Sequence, residues 1–342
     1  MKVTLLGPQR RASGARSAVA ELVPQGPVAA VNAGWLEREA DTRELDEVLG
    51  GRLLNLELHR RWQSLREEDA AFDESQQWLS DSLSELRTAY RLRLLSSLTA
   101  VAAVRRQVRD ESLRTAAHED EVAALRTLDE WNLRCGQQLR EEAAERVRAG
   151  GTEAVDRHRA EVARMLDDSA GLVVTGGHVA ILLHLLNLFG VADRLRTGMI
   201  NTGMINTGMI NTSMINTSMI NTGMIDFPVI AWSAGAMALS ERVVLFHDHP
   251  PYGDRPAEVY AAGVGAYSGL VVLPHARRRL RLDDHDHVGL LARRLAPRRA
   301  VILNDGARLD LGADGTLPPS APRLTLAGGV AAEADVVDEA VA

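Results

Sequence analysis

Residues 228–236 read PVIAWSAGA. Four apolar residues, Val229, Ile230, Ala231 and Trp232, run into Ser233, and the small residues Ala234, Gly235 and Ala236 follow it. A continuous apolar run this short suits a strand buried on both faces. The small residues suit a sharp turn into a helix, where backbone passes close to backbone. A serine at such a junction stands on a strained turn, its hydroxyl exposed and helix N-terminal amides beside it, which is how a nucleophile elbow is built. Ala231 and Gly235 flank Ser233 at minus two and plus two, so alanine replaces the first glycine of the usual pattern. On this stretch alone, a plain strand–turn–helix junction competes with the catalytic reading.

The same kind of run recurs along the chain. Residues 3–6, 27–31, 53–58, 172–175, 270–273 and 300–303 are short and apolar, and glycine or polar residues close most of them. This pattern predicts an α/β domain spanning residues 1–342 with a mainly parallel sheet, and ligand sites at the carboxyl ends of its strands. Residues 63–148 break the rhythm. Over 73–110 and 113–149 the spacing is helical, with Trp78, Leu79, Leu83, Leu86, Tyr90, Leu94, Leu98 and Val101 at three- and four-residue steps. A long helical hairpin is expected there, most simply a brace packed on the sheet, with a dimerisation arm or active-site cover as alternatives. Residues 198–226 are a tandem repeat in which GMINT occurs three times and SMINT twice. A five-residue period fits neither helix nor strand, so an irregular loop is expected. Residues 328–342 read as an acidic C-terminal tail.

Composition narrows the function classes. A formal charge of -7 over 342 residues argues against a dedicated nucleic-acid binder. Cys135 is the single cysteine, so no intramolecular disulfide framework exists and a reducing cytoplasm is expected. The opening residues MKVTLLGPQRR carry no signal-peptide pattern, and no apolar stretch is long enough to span a membrane. Two polar clusters invite a metal reading: His247-Asp248-His249 and Asp283-Asp284-His285-Asp286-His287. Neither has the i, i+4 spacing of a helical zinc site, so no metal and no cofactor are expected.

A serine nucleophile needs a base, and the base needs an orienting acid. His275 follows the run 270–273, and Asp305 follows the run 300–303, so both stand near strand ends. A neutral imidazole accepts the hydroxyl proton, while a carboxylate fixes the tautomer and stabilises the imidazolium. The Ala234 amide, directly after the serine, is a candidate oxyanion donor. Gly176-Gly177 lets another backbone amide face the site, with a tight turn as the competing reading.

Together the segments TGGHVAILLHLL, PVIAWSAGAMAL, GLVVLPHARRRLRL and AVILNDGARL resemble the serine peptidase family of cyanophycinase and alpha-aspartyl dipeptidase. The resemblance covers roughly residues 1–60 and 165–312. It implies a three-layer sandwich of the class I glutamine amidotransferase-like, flavodoxin-like kind. It also implies Ser233 as nucleophile, His275 as base, Asp305 as acid, and Gly176 or Gly177 as the oxyanion turn. Leu273-Pro274 replaces the polar residues that precede the histidine in that family, and His178 occupies a position often acidic or amide there. Amidotransferases proper use cysteine at the elbow, where this chain has Ser233. The expectation is a serine hydrolase of a small peptide or amide. The alternative is a non-catalytic scaffold that binds a small molecule or a protein through the helical insertion, and the hairpin is also a candidate surface for homo-oligomers.

Overall fold

The computed structural model describes residues 2–9, 13–201, 226–248, 255–312 and 316–332. The chain opens with β1 (Val3–Leu6), α1 (Ser13–Leu22), β2 (Val28–Val31), a short 3-10 segment (Ala33–Arg38), α2 (Arg43–Val48) and β3 (Leu53–Asn55). Four helices follow without a strand: α3 (Leu58–Glu68), α4 (Ala70–Gln107), α5 (Glu111–Gly150) and α6 (Glu153–Asp167). Then come β4 (Gly171–Val174), α7 (Val179–Leu188), α8 (Val191–Asn201), β5 (Val229–Trp232), α9 (Ala234–Leu239), β6 (Arg242–His247) and β7 (Arg255–Ala262). The last part holds β8 (Leu270–Pro274), α10 (Ala276–Arg279), α11 (His285–Leu295), β9 (Arg299–Leu303), β10 (Arg308–Leu311), β11 (Arg323–Leu324) and β12 (Val330–Ala331).

The main sheet has the order β3-β2-β4-β5-β1-β10, parallel throughout except for β10, which runs antiparallel to β1. Side chains alternate across it. Leu5, Val31, Val174 and Ala231 face α3, α6, α7, α8 and α9, while Leu6, Ala30, Val173 and Ile230 face α1 and α2. The sheet therefore lies between two helical layers, and its four-residue central strands are apolar except for Thr4, which donates to Asp310, because both faces are covered.

β8 and β9 pair in parallel within a second sheet of order β12-β11-β9-β8, and β6 and β7 form an antiparallel pair. Ser233 and His275 thus do not end successive strands of one sheet. β10 occupies the side of β1 away from β5, so β8 and β9 do not pair with β1. Leu270, Val272, Val301 and Leu303 still pack into the main core.

The helical hairpin is α4 against α5, and aspartates start both arms. Asp69 accepts from the Phe72 amide at 2.9 Å, and Asp110 accepts from the Leu113 amide at 2.9 Å. At 38 and 40 residues these helices reach about 60 Å. The run 53–58 divides where a single strand was expected. Asn55 Oδ1 accepts the Glu57 amide at 3.2 Å, Glu57 adopts φ 50°, and Leu58 starts α3. The buried Glu39 carboxylate caps α3 by accepting from the amides of His59 and Arg60. α8 takes in the first repeat residues up to Asn201, and residues 202–225 of the expected repeat loop lie outside the described residues. The expected tail begins instead as β12, paired with β11, while 333–342 lie outside the described residues. Among the described residues no helix is long and apolar enough to cross a membrane.

Candidate active site

Ser233 is the residue between β5 and α9, at φ 52° and ψ -119°. That is the first central conformation of a type II′ turn, which favours glycine, and a serine there is strained. The tertiary surroundings impose it. The Ser233 amide donates to Leu6 O at 3.3 Å, continuing the β1–β5 ladder, while Ser233 O already accepts from Met237 in α9. Strand and helix meet within one residue. Gly235 is needed because a Cβ there would lie 2.3 Å from Val174 O and 2.5 Å from Thr175 O.

Gly176 backs the serine. A Cβ on Gly176 would stand 3.1 Å from Ser233 Cβ and 3.3 Å from its Oγ. Gly177 has φ 114°, and a Cβ there would lie 2.2 Å from Gly34 O. The same Gly34 carbonyl accepts the His178 amide at 2.8 Å. Among the described residues the Gly176 and Gly177 amides donate to no protein acceptor.

His275 ends β8 in the left-handed region, φ 58° and ψ 23°. Its amide donates to Leu303 O at 3.3 Å, holding it beside the end of β9. Its side chain is 16% exposed, and Nδ1 lies 3.7 Å from Asp305 Oδ1. Arg278 meets the other Asp305 oxygen at 3.2 Å. Asn304 Oδ1 accepts the Arg277 amide at 3.1 Å, tying the start of α10 to the turn that carries Asp305.

The end of β1 joins the two halves. Leu6 O accepts from Ser233, and the next residue, Gly7, donates to Ala307 O at 2.8 Å. A Cβ on Gly7 would lie 1.8 Å from Asn304 O, so the turn before Asp305 is pressed onto the elbow's neighbour strand. The structure thus places Ser233 against Gly176 and His275 against Asp305, with the β1 end between them. Among the described residues Ser233 Oγ makes no hydrogen bond to His275.

Sequence reading missed Gly34, which supports the glycine turn; it offered Arg277, Arg278 or Arg279 as holders of a substrate carboxylate, and Arg278 instead shares Asp305. The signal for Gly34 was modest: a glycine just after β2. The two His/Asp clusters have structural partners. Asp248 accepts from the Arg281 amide at 3.0 Å and meets His287 Nε2 at 2.8 Å. Burial pushes the Asp248 carboxyl up, but its hydrogen bonds and neighbouring charge outweigh that and hold it below the usual range. Asp284 caps α11, Asp286 pairs with Arg105, and His249 lies outside the described residues. Among the described residues no group of three His, Cys, Asp or Glu side chains could hold a metal ion.

No known protein family matches this chain, and no curated protein is significantly similar to it.

Proposed function

We propose that this chain is a serine hydrolase of a small peptide or amide, on a class I glutamine amidotransferase-like fold of the cyanophycinase kind. The observation that carries the reading is Ser233: a non-glycine residue at φ 52° between a buried strand and a helix, with Gly176 at its side chain. Strain of this kind persists where the surroundings over-determine it, and such positions cluster at functional sites.

In this mechanism Ser233 Oγ attacks the scissile carbonyl carbon and His275 takes its proton on Nε2, with Asp305 facing Nδ1. The oxyanion is held by the Ala234 amide and an amide of the Gly176-Gly177 turn. The C–N bond breaks, His275 protonates the leaving amine, and an ester on Ser233 remains. Water, deprotonated by His275, cleaves that ester and restores the serine. A sole cysteine, Cys135, supports a reducing compartment such as the cytoplasm.

The test is labelling of the intact protein with a fluorophosphonate, followed by a dipeptide and isopeptide screen. One adduct at Ser233, lost in Ser233→Ala and strongly slowed in His275→Ala, supports the reading. No adduct, together with equal behaviour of wild type and Ser233→Ala on the panel, sinks it. The second reading is a non-catalytic scaffold. The 3.7 Å His275–Asp305 separation, longer than a hydrogen bond, favours it. Catalytic hydrogen bonds that lengthen without ligand account for the same geometry in the hydrolase reading. In the scaffold reading the exposed Leu92, Leu95 and Leu113 of the hairpin would pair copies of the chain. Size-exclusion of the full chain and its triple Leu→Ser variant would separate a dimer from a monomer.

A further inference from the structure

A cavity of about 370 Å³ lies between the hairpin, α7 and β7. Ser233 does not line it, but His178, next to Gly177, does. Its volume falls at the low end of small-molecule pockets, roughly 300–1,000 Å³. Leu79, Leu83, Leu86 and Ile181 supply apolar wall, and Trp62 and Tyr260 supply aromatic wall.

The charges around it do not balance. Arg66 pairs with Asp73 and lies over the Trp62 ring. Glu258 is held by Arg87 at 3.3 Å and Arg91 at 2.7 Å. Arg140 remains. Its Nη1 donates to Gly136 O at 2.8 Å, and among the described residues it meets no carboxylate. Burial works against its charge. A guanidinium that lines a cavity and meets no acid there is stabilised by an anion that enters it. Gln76 lies on the same wall. Its Oε1 is taken by Trp62 Nε1 at 3.2 Å and His184 Nε2 at 2.8 Å, and among the described residues its amide nitrogen has no acceptor. Arg140 and Gln76 both offer N–H groups to whatever fills the space.

We infer that this cavity binds a small monocarboxylate with an apolar tail, its carboxylate on Arg140 and the Gln76 amide and its tail among the leucines and aromatic rings. A planar guanidinium matches a carboxylate with two parallel hydrogen bonds. A phosphate would bring a second charge, and the other two lining arginines already have acids. The inference does not depend on Ser233 being a nucleophile.

The experiment is calorimetric titration of the full chain with octanoate, 4-phenylbutyrate and indole-3-propionate, each beside its primary amide, with inorganic phosphate as a further probe. Saturable one-site binding of at least one carboxylate is expected, about 10- to 100-fold tighter than its amide. Arg140→Gln should bring that acid down to the affinity of the amide, and Arg140→Lys should fall between. Leu83→Phe, which narrows the cavity, should weaken acid and amide alike, and Ser233→Ala should bind as wild type. No carboxylate binding up to about 10 mM overturns the inference. So does equal affinity for acid and amide, or tighter binding of phosphate. If Arg140→Gln fails to fold, the Leu83→Phe result and the acid-to-amide ratio of wild type decide.

Discussion

Replacing Ser233 with glycine should make the protein more stable than replacing it with alanine. At φ 52° and ψ -119° an L-residue is strained by about 1–3 kcal/mol, whereas glycine adopts this conformation freely. Against that gain, glycine loses more backbone freedom on folding, about 0.5–1 kcal/mol relative to alanine. Both variants remove the same hydroxyl, so their difference reports the backbone and the one Cβ that alanine keeps. The balance favours glycine by up to about 2.5 kcal/mol, which for a chain this long raises the melting temperature by up to about 4 °C. Urea denaturation of the two variants, with equal slopes, measures it. At an unstrained position the order reverses, with glycine below alanine. Glycine below alanine at 233 would refute the claim that the elbow stores strain. Neither variant should accept a fluorophosphonate, so the stabilised Ser233→Gly protein would show stability traded against chemistry at one residue.

The two glycines that pass against backbone should not tolerate a methyl group. Gly235→Ala and Gly177→Ala each place a Cβ within 2.3 Å of a carbonyl oxygen and should cost about 3 kcal/mol or more, read by thermal denaturation. Gly176→Ala meets only side chains, those of Ser233 and Trp232, so it should cost about 1 kcal/mol or less yet sharply slow labelling of Ser233. Asp129→Asn should cost about 3–5 kcal/mol by leaving the buried Arg294 without its acid, and Arg294→Met in the same chain should recover much of that. Burial, with Arg140 adding to it, pushes the His184 imidazole down to about 4. The unfolded chain then binds more protons than the folded one between about pH 6.5 and 4. Stability should therefore fall as pH drops through that window, by up to roughly 3 kcal/mol, and His184→Gln should flatten the slope in a urea-versus-pH series.

What could be read in the chain followed from covering. β1, β2, β4 and β5 are apolar but for Thr4 because helices lie on both faces, and such runs stand out against an arginine-rich background. The hairpin was legible because the Tyr90–Leu94–Val101 spacing is set by one facing helix, whatever the rest of the fold does. β6 and β7 were not legible. They carry charge within the strand, as Arg242 and Glu258, whose partners Glu130, Arg87 and Arg91 come from the hairpin more than a hundred residues away. No local pattern contains that pairing. β11 and β12 are two residues each and exist only because β9 offers an edge. At the site, Ser233 announces itself by its neighbours in sequence. Gly34 does not, since its importance lies in a contact with Gly177 far along the chain. The cavity was invisible for the same reason: Gln76, Arg140 and His184 belong to three different helices.

The hairpin is held by charge as well as by apolar contact, and the kind of charge matters. Asp129 of α5 accepts from Arg294 of α11 at 2.7 and 2.6 Å and from Tyr90 of α4 at 2.7 Å. Tyr90 also takes the Val259 amide of β7, and Arg294 reaches Ala257 O. Every polar atom in this buried group that could strain against its surroundings has a partner, which is the condition under which such a network is tolerated. A hydrophobic cluster of the same volume would serve stability as well or better. What the network adds is register. Two helices of about 60 Å carry apolar residues at repeating intervals, and sliding one along the other by a turn would still bury most of them. Sliding would strand Asp129 and Arg294. The ionic group therefore fixes where the hairpin sits on β7 and α11, and with it where Gln76 and Arg140 stand relative to His184 on α7. α7 starts at His178, whose amide is bound to Gly34, and Gly34 in turn packs on the glycine turn behind Ser233. Placement of the cavity wall and placement of the elbow are thus set by one continuous chain of contacts, beginning at a buried aspartate that touches neither.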